Sequence, residues 1–170
     1  MKKIYVLLVS ILALSQVNAQ KEWVKFSPDE RVSVLTPGTL TKMDIPNVDV
    51  YQIAVDSTSY SVTIVNFENF GMDSSMVQGM VNTESFQEQF KAGFTQQLGD
   101  AEIVSEKVDK LGDFTTYLYE VNYKDRETGS QIKMYVYSVF IGSKVYSFTY
   151  GSVTPVDSDK ERFFKSIQVI

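Results

Sequence analysis

The chain of 170 residues has no cysteine and no histidine, only four prolines and a single tryptophan. Without cysteine there is no disulfide framework, thiol nucleophile or thiolate metal cage, and without histidine there is no Ser-His-Asp triad. Clustered positive charge is missing too. Sixteen Lys and Arg stand against 21 Asp and Glu, a net charge of -5, and phosphate backbones need grouped cations, so nucleic acid is excluded as a partner. There is no internal repeat, low-complexity tract or Pro/Gly/Ser linker, and no nucleophile-elbow, P-loop or Rossmann glycine pattern. What is present is ordinary for a folded domain: 44% hydrophobic, 22% charged and 13% aromatic residues.

The first residues read as a secretory signal peptide, 1–19. Lys2 and Lys3 precede an apolar run over residues 4–14, and Val17-Asn18-Ala19 offers small side chains for cleavage after Ala19. The run is short for ~30 Å of hydrocarbon, which argues against an uncleaved anchor. No cysteine follows it, so no lipid anchor is expected. Two lysines and no acid leave with the signal, taking the charge from -5 to -7 over the remaining single domain, 20–170. An exported protein without disulfides must rely on core packing. The expected location is periplasmic or secreted, in a bacterium.

Residues 23–26 and 31–35 form an expected N-terminal hairpin about a Ser27-Pro28-Asp29-Glu30 turn, followed by a loop through Asp44-Ile45-Pro46-Asn47. Residues 48–55 and 60–67 read as two strands rich in β-branched and aromatic residues. The period then changes: Phe86, Phe90, Phe94 and Leu98 recur every four residues, the stripe of an α-helix, with Thr83 as N-cap and Gly99 beyond its end. Residues 73–82 form a lead-in or an extra turn. Strands are expected at 101–108, 114–123, 132–141 and 145–150, the last two joined by Gly142-Ser143. Ser158 with Glu161 has the form of a capping box for a final helix facing inward with Phe163, Phe164 and Ile167. Along 132–141 both faces are apolar: Ile132, Met134, Val136 and Phe140 on one, Tyr135, Tyr137, Val139 and Ile141 on the other. Such strands need cover on both sides. The expected fold class is α+β: a central antiparallel sheet of about six to eight strands with two helices packed on it.

Trp23-x-x-Phe26-Ser27-Pro28-Asp29 leading into Arg31-Val32-Ser33-Val34-Leu35-x-Pro37-Gly38 resembles the opening of PsbP-like domains. Val145-Tyr146-Ser147-Phe148-Thr149, a loop and Arg162-Phe163-Phe164-Lys165-Ser166-Ile167 are similar to the closing segment of many small bacterial exported proteins of that kind. The resemblance covers both ends of residues 20–170. It implies an α/β/α sandwich and a non-enzymatic accessory, adaptor or chaperone-like role. The metal-binding histidines of some members have no counterpart here.

Carboxylates are the acid/base groups available. Asp157, Asp159 and Glu161 lie close together, but Lys160 and the lack of a turn glycine spoil a calcium loop, and acids favoured at a helix N-terminus explain them more simply. Asp125 and Glu127, with Arg126 and Gly129, read as a solvated turn. Tyrosine says more. Seven of the ten lie between Tyr117 and Tyr150. Tyr117, Tyr119 and Tyr123 share one face of a strand, and Tyr135 and Tyr137 share a face of the next. Pairing of these strands would assemble one aromatic patch with hydroxyls at its rim, suited to recognition of protein, peptide or glycan; the competing reading packs the rings under a helix. The resulting expectation is a non-enzymatic binding protein of the bacterial envelope, without cofactor or metal, whose partner is an envelope protein or surface component. Its alternatives are a carboxylate-dependent hydrolase and a Ca-dependent module.

Overall fold

The computed structural model describes residues 22–98, 101–125 and 128–170. The signal segment 1–19, Gly99 and the turn residues Arg126 and Glu127 lie outside them.

Seven strands form one antiparallel sheet in the order β3-β4-β5-β9-β8-β7-β6. They are β3 (Thr41–Ile45), β4 (Val48–Val55), β5 (Thr58–Asn66), β6 (Glu102–Leu111), β7 (Phe114–Lys124), β8 (Gln131–Ile141) and β9 (Lys144–Ser152). Four hairpins close over two residues each: Pro46-Asn47, Asp56-Ser57, Gly112-Asp113 and Gly142-Ser143. Such short loops need left-handed backbone, taken up by Asn47 (φ 64°), Asp56 (φ 56°) and the glycines at 112 and 142 (both φ 61°). A second sheet of three strands joins β1 (Val24–Phe26), β2 (Val32–Thr36) and β10 (Gln168–Val169), with β2 in the middle.

The large sheet buries both faces, as its alternation requires. On one, a 3-10 turn (Phe67–Phe70), α1 (Ser74–Met80) and α2 (Glu84–Leu98) follow β5. Val77, Val81, Phe86, Phe90 and Phe94 pack there on Tyr117, Tyr119, Val121, Met134, Val136 and Phe140. Thr83 caps α2 as expected, its Oγ1 accepting from the Phe86 amide at 3.4 Å. On the other face, β1, β2, β10 and α3 (Asp157–Lys165) cover Tyr60, Val62, Val139, Tyr146, Phe148 and Tyr150 through Val32, Val34, Phe163 and Ile167. Trp23 meets Tyr60 edge-on at 5.9 Å and holds the start of β1 against this core.

Three local expectations are corrected. The loop through residues 44–47 is the end of β3 and a tight turn, because Thr41–Ile45 pairs with β4 as an edge strand. Ser158 does not cap α3. The N-cap position is Val156, which has no side chain able to cap, and Asp157 begins the helix. Lastly, β10 adds a strand after α3 that no local pattern announces.

Candidate functional site

The five tyrosines of the expected patch do not share a surface. β7 and β8 do pair, but in a register that sets Leu118 opposite Tyr137 and Glu120 opposite Tyr135. Tyr117, Tyr119 and Tyr123 therefore face α2 and are buried; Phe90 lies 5.4 Å from Tyr117 and Phe94 6.0 Å from Tyr119, centroid to centroid. Burial raises all three hydroxyls, that of Tyr123 to about 12. The Tyr117 hydroxyl donates to the Val81 carbonyl at the end of α1. These rings are core.

Tyr135 and Tyr137 lie on the opposite face and are half-buried. α3 approaches from one side, Phe164 lying 6.4 Å from Tyr137 and the Lys160 ammonium 4.4 Å above the Tyr135 ring. Lys160 is tied in turn to Asp157 at 2.8 Å. Burial raises the Tyr135 hydroxyl, against the pull of Lys160 and together with Glu120 across the strand pair. Tyr137 is likewise raised, above all by burial. Toward the sheet edge Leu118 and Phe114 remain half-buried. The surface is thus two amphipathic rings and a phenylalanine, rimmed by Glu120, Lys160 and Asp157.

Two concave places compete with it. A polar cleft of about 310 Å³ lies at the hairpin end of the sheet, lined by Asp29, Asn47, Asp49, Asn66, Asn69 and Lys144 among others. Within it Asp29 accepts from the Arg31 amide (2.9 Å), the Tyr146 hydroxyl (2.6 Å) and Lys144 (3.3 Å). Burial alone would raise this carboxyl, but those three donors together hold it below its usual value. A carboxylate so occupied ties the β1–β2 turn to β9 and is a poor proton acceptor.

Its stabilisation has a definite sign. With the folded-state pKa depressed, the contribution is present above the ordinary aspartate value and is lost as pH falls through the folded one. Asp29→Asn is expected to lower stability by about 1.5 kcal/mol at neutral pH, the low end for a bond to a charged group. Urea unfolding as a function of pH checks this: the gap between the two proteins should close below pH ~4. A gap that persists there would mean that the charge is not what stabilises.

The second concavity, about 500 Å³, runs between α2 and β6 and holds two acids, Glu88 and Glu106. Both bind one cation, Lys91, at 2.6 and 3.0 Å. Both carboxylates raise the Lys91 ammonium, principally through hydrogen bonds. The arrangement is an ion-pair network open to solvent. At α3, Asp157 and Glu161 pair with Lys160 and Lys165, and Lys160 holds the Asp157 carboxyl below its usual value. Among the described residues no group of three or more Asp and Glu is placed to hold a metal ion.

No model of a known protein family matches the sequence, and no curated protein matches it either. Solved structures do. The cyanobacterial PsbP protein (CyanoP) of Synechocystis superposes with a TM-score of 0.56 at 13% identity, over 94% of this chain and 99% of that one. A Pseudomonas aeruginosa protein of unknown function gives 0.47 at 11% identity, over 82% of this chain and 88% of that one. A Bacteroides thetaiotaomicron protein gives 0.49 at 12% identity, over 86% of this chain but only 48% of that one. The CyanoP superposition shows that the α+β sandwich is of the PsbP type.

Proposed function

We propose that the protein is an exported, non-enzymatic binding module of the bacterial cell envelope and that it recognises a protein or other envelope component through the Tyr135–Tyr137 face. One observation carries the site: two half-buried tyrosines stand on a sheet face that α3 covers only in part. Rings held by packing lose little entropy on binding, and tyrosine joins a large apolar surface to a hydroxyl capable of hydrogen bonding. Export is supported by the Lys2-Lys3 start, the apolar run and the small residues before Gln20. No described helix is long and apolar enough to cross a membrane.

A carboxylate hydrolase finds some support in Glu88 and Glu106, which share a groove. Acid/base chemistry needs one carboxyl to give a proton and the other to take it, whereas both of these are engaged by Lys91, and the binding reading is therefore preferred.

Photo-crosslinking in intact cells tests the proposal. With p-benzoylphenylalanine in place of Tyr137, irradiation should give a discrete adduct with an envelope component. The same group in place of Met76, exposed on α1 on the other side of the sheet, should give none. Adducts from neither position, or the same adduct from both, would dismiss this face as the site.

A further inference from the structure

β6 is one edge of the large sheet, ten residues long, and only Ile103 and Leu111 along it are not exposed. A long open edge is a template for another strand unless something blunts it. One blunting device is present: the register on β7 shifts between Ile103 and Ser105, which leaves Val104 as a bulge. Beyond the bulge, Ser105–Leu111 pairs with β7 without interruption. This stretch reads Ser-Glu-Lys-Val-Asp-Lys-Leu, and its midpoint is Val108, 47% exposed.

We infer that β6 pairs with β6 of a second copy of this chain, antiparallel about a two-fold axis through Val108, joining the two large sheets into one. The occupant is identified by charge. A two-fold axis normal to a continuous sheet can pass only through a residue that then faces its own copy, because partners must lie on the same face. Centring on Glu106, Lys107, Asp109 or Lys110 sets like charges opposite each other. Centring on Ser105 needs pairing across the bulge, and centring on Leu111 sets Asp109 against Asp113 beyond the strand. Centring on Val108 pairs Lys107 with Asp109 and Glu106 with Lys110, each twice by symmetry, and packs valine on valine. It also uses the uninterrupted stretch from end to end, Ser105 facing Leu111. Opposite charges directly across a strand pair stabilise it and like charges oppose it.

The faces agree with the pairing. Glu106, Val108 and Lys110 stand opposite Tyr119, Tyr117 and Thr115, on the α2 side, whereas Lys107 and Asp109 stand on the α3 side. Glu106 already holds Lys91 of α2, so Lys110 from the second copy completes a chain of alternating charge. Lys107 and Asp109, paired within one chain, exchange partners at no loss of ion pairs. This edge borders the Tyr135–Tyr137 face, since Lys107, Leu118 and Tyr137 stand in one cross-strand row, but the pairing rests on β6 and does not require that face to be a binding site.

Sedimentation over a concentration series, together with oxidation of single-cysteine variants, tests the inference, and the cysteine-free chain makes the second measurement clean. The protein is expected to show a monomer–dimer equilibrium. Lys107→Asp and Asp109→Lys should each weaken it by about tenfold or more, through two reversed pairs per dimer, and the double variant should restore it. Val108→Cys should oxidise to a covalent dimer, while Val104→Cys, equally exposed but on the bulge, should not. A monomer at every concentration overturns the proposal. So does a dimer indifferent to the charge reversals, or one that Val104→Cys cross-links as readily as Val108→Cys.

Discussion

Phe140→Ala is expected to lower stability by about 3–5 kcal/mol, the usual cost of emptying a ring-sized site in a packed core. Phe140 is fully buried at the junction of helix and sheet. Its ring lies 4.7 Å from Tyr117, 5.4 Å from Phe90 and 5.9 Å from Phe86, centroid to centroid. Three of those four rings come from β7, β8 and the middle of α2, and each is held by its own backbone register. The site can therefore collapse only slightly when the ring is removed, and the cavity term adds to the lost transfer free energy. Against a total of about 5–15 kcal/mol this is a large fraction, equivalent to a fall in Tm of about 6–20 °C for a domain of this size. Calorimetry or urea unfolding measures it directly. A loss below ~1 kcal/mol would mean that α2 does not pack on the sheet as described.

Phe163→Ala is expected to be comparably costly, about 3–5 kcal/mol by the same reasoning, with a different signature. Phe163 is fully buried on the other face, 5.4 Å from Tyr60, 6.5 Å from Phe148 and 5.1 Å from Phe164. α3 carries a share of the second sheet with it. Ser166 Oγ accepts from the Leu35 amide of β2 at 2.8 Å, and the Ile170 amide donates to the Arg31 carbonyl at 2.8 Å. At the start of the helix, the Val156 amide donates to the Tyr150 hydroxyl at 2.9 Å. Once Phe163 is truncated, those bonds hold a helix whose main apolar anchor is gone. Amide exchange should then quicken first in α3, β10 and β2, before the seven-stranded sheet opens, since elements with few buried contacts open locally at lower free energy. Uniform quickening across the molecule would contradict that order, and exchange unchanged from the parent would refute the anchoring role itself.

Much of the fold was legible because its signals are local. Phe86, Phe90 and Phe94 repeat at the helical period behind Thr83, and they form the stripe that α2 buries. The hairpins β4–β5 and β8–β9 are marked by β-branched and aromatic runs on either side of two-residue turns. The double apolar alternation along β8 requires two covers, and two clusters are found. The parts that escaped have weak or distant causes. β3 is a short, largely polar edge strand behind a proline turn, and β10 is two residues defined only by their pairing with β2, more than 130 positions away. Ser158 matches a cap pattern, yet α3 starts at Asp157 behind Val156, two residues earlier than a Ser158 cap would set it.

The candidate site shows the division most clearly. Composition by itself excluded thiol and imidazole chemistry, and alternation alone placed Tyr117, Tyr119 and Tyr123 together and Tyr135 with Tyr137. Whether the two groups meet depends on the register of β7 on β8, which is set by where the intervening turn leaves and re-enters the sheet. Lys124 faces Gln131, so odd-numbered residues of one strand stand beside even-numbered residues of the other. A shift of one residue would reverse this, because side chains alternate with a period of two. The same holds for β6: its alternating charges are written in the chain, but only the assembled sheet puts them on an open edge. Chemistry and periodicity are properties of single segments. Which face is covered, and which edge is open, depends on how segments pair, and that was decided by the tertiary structure.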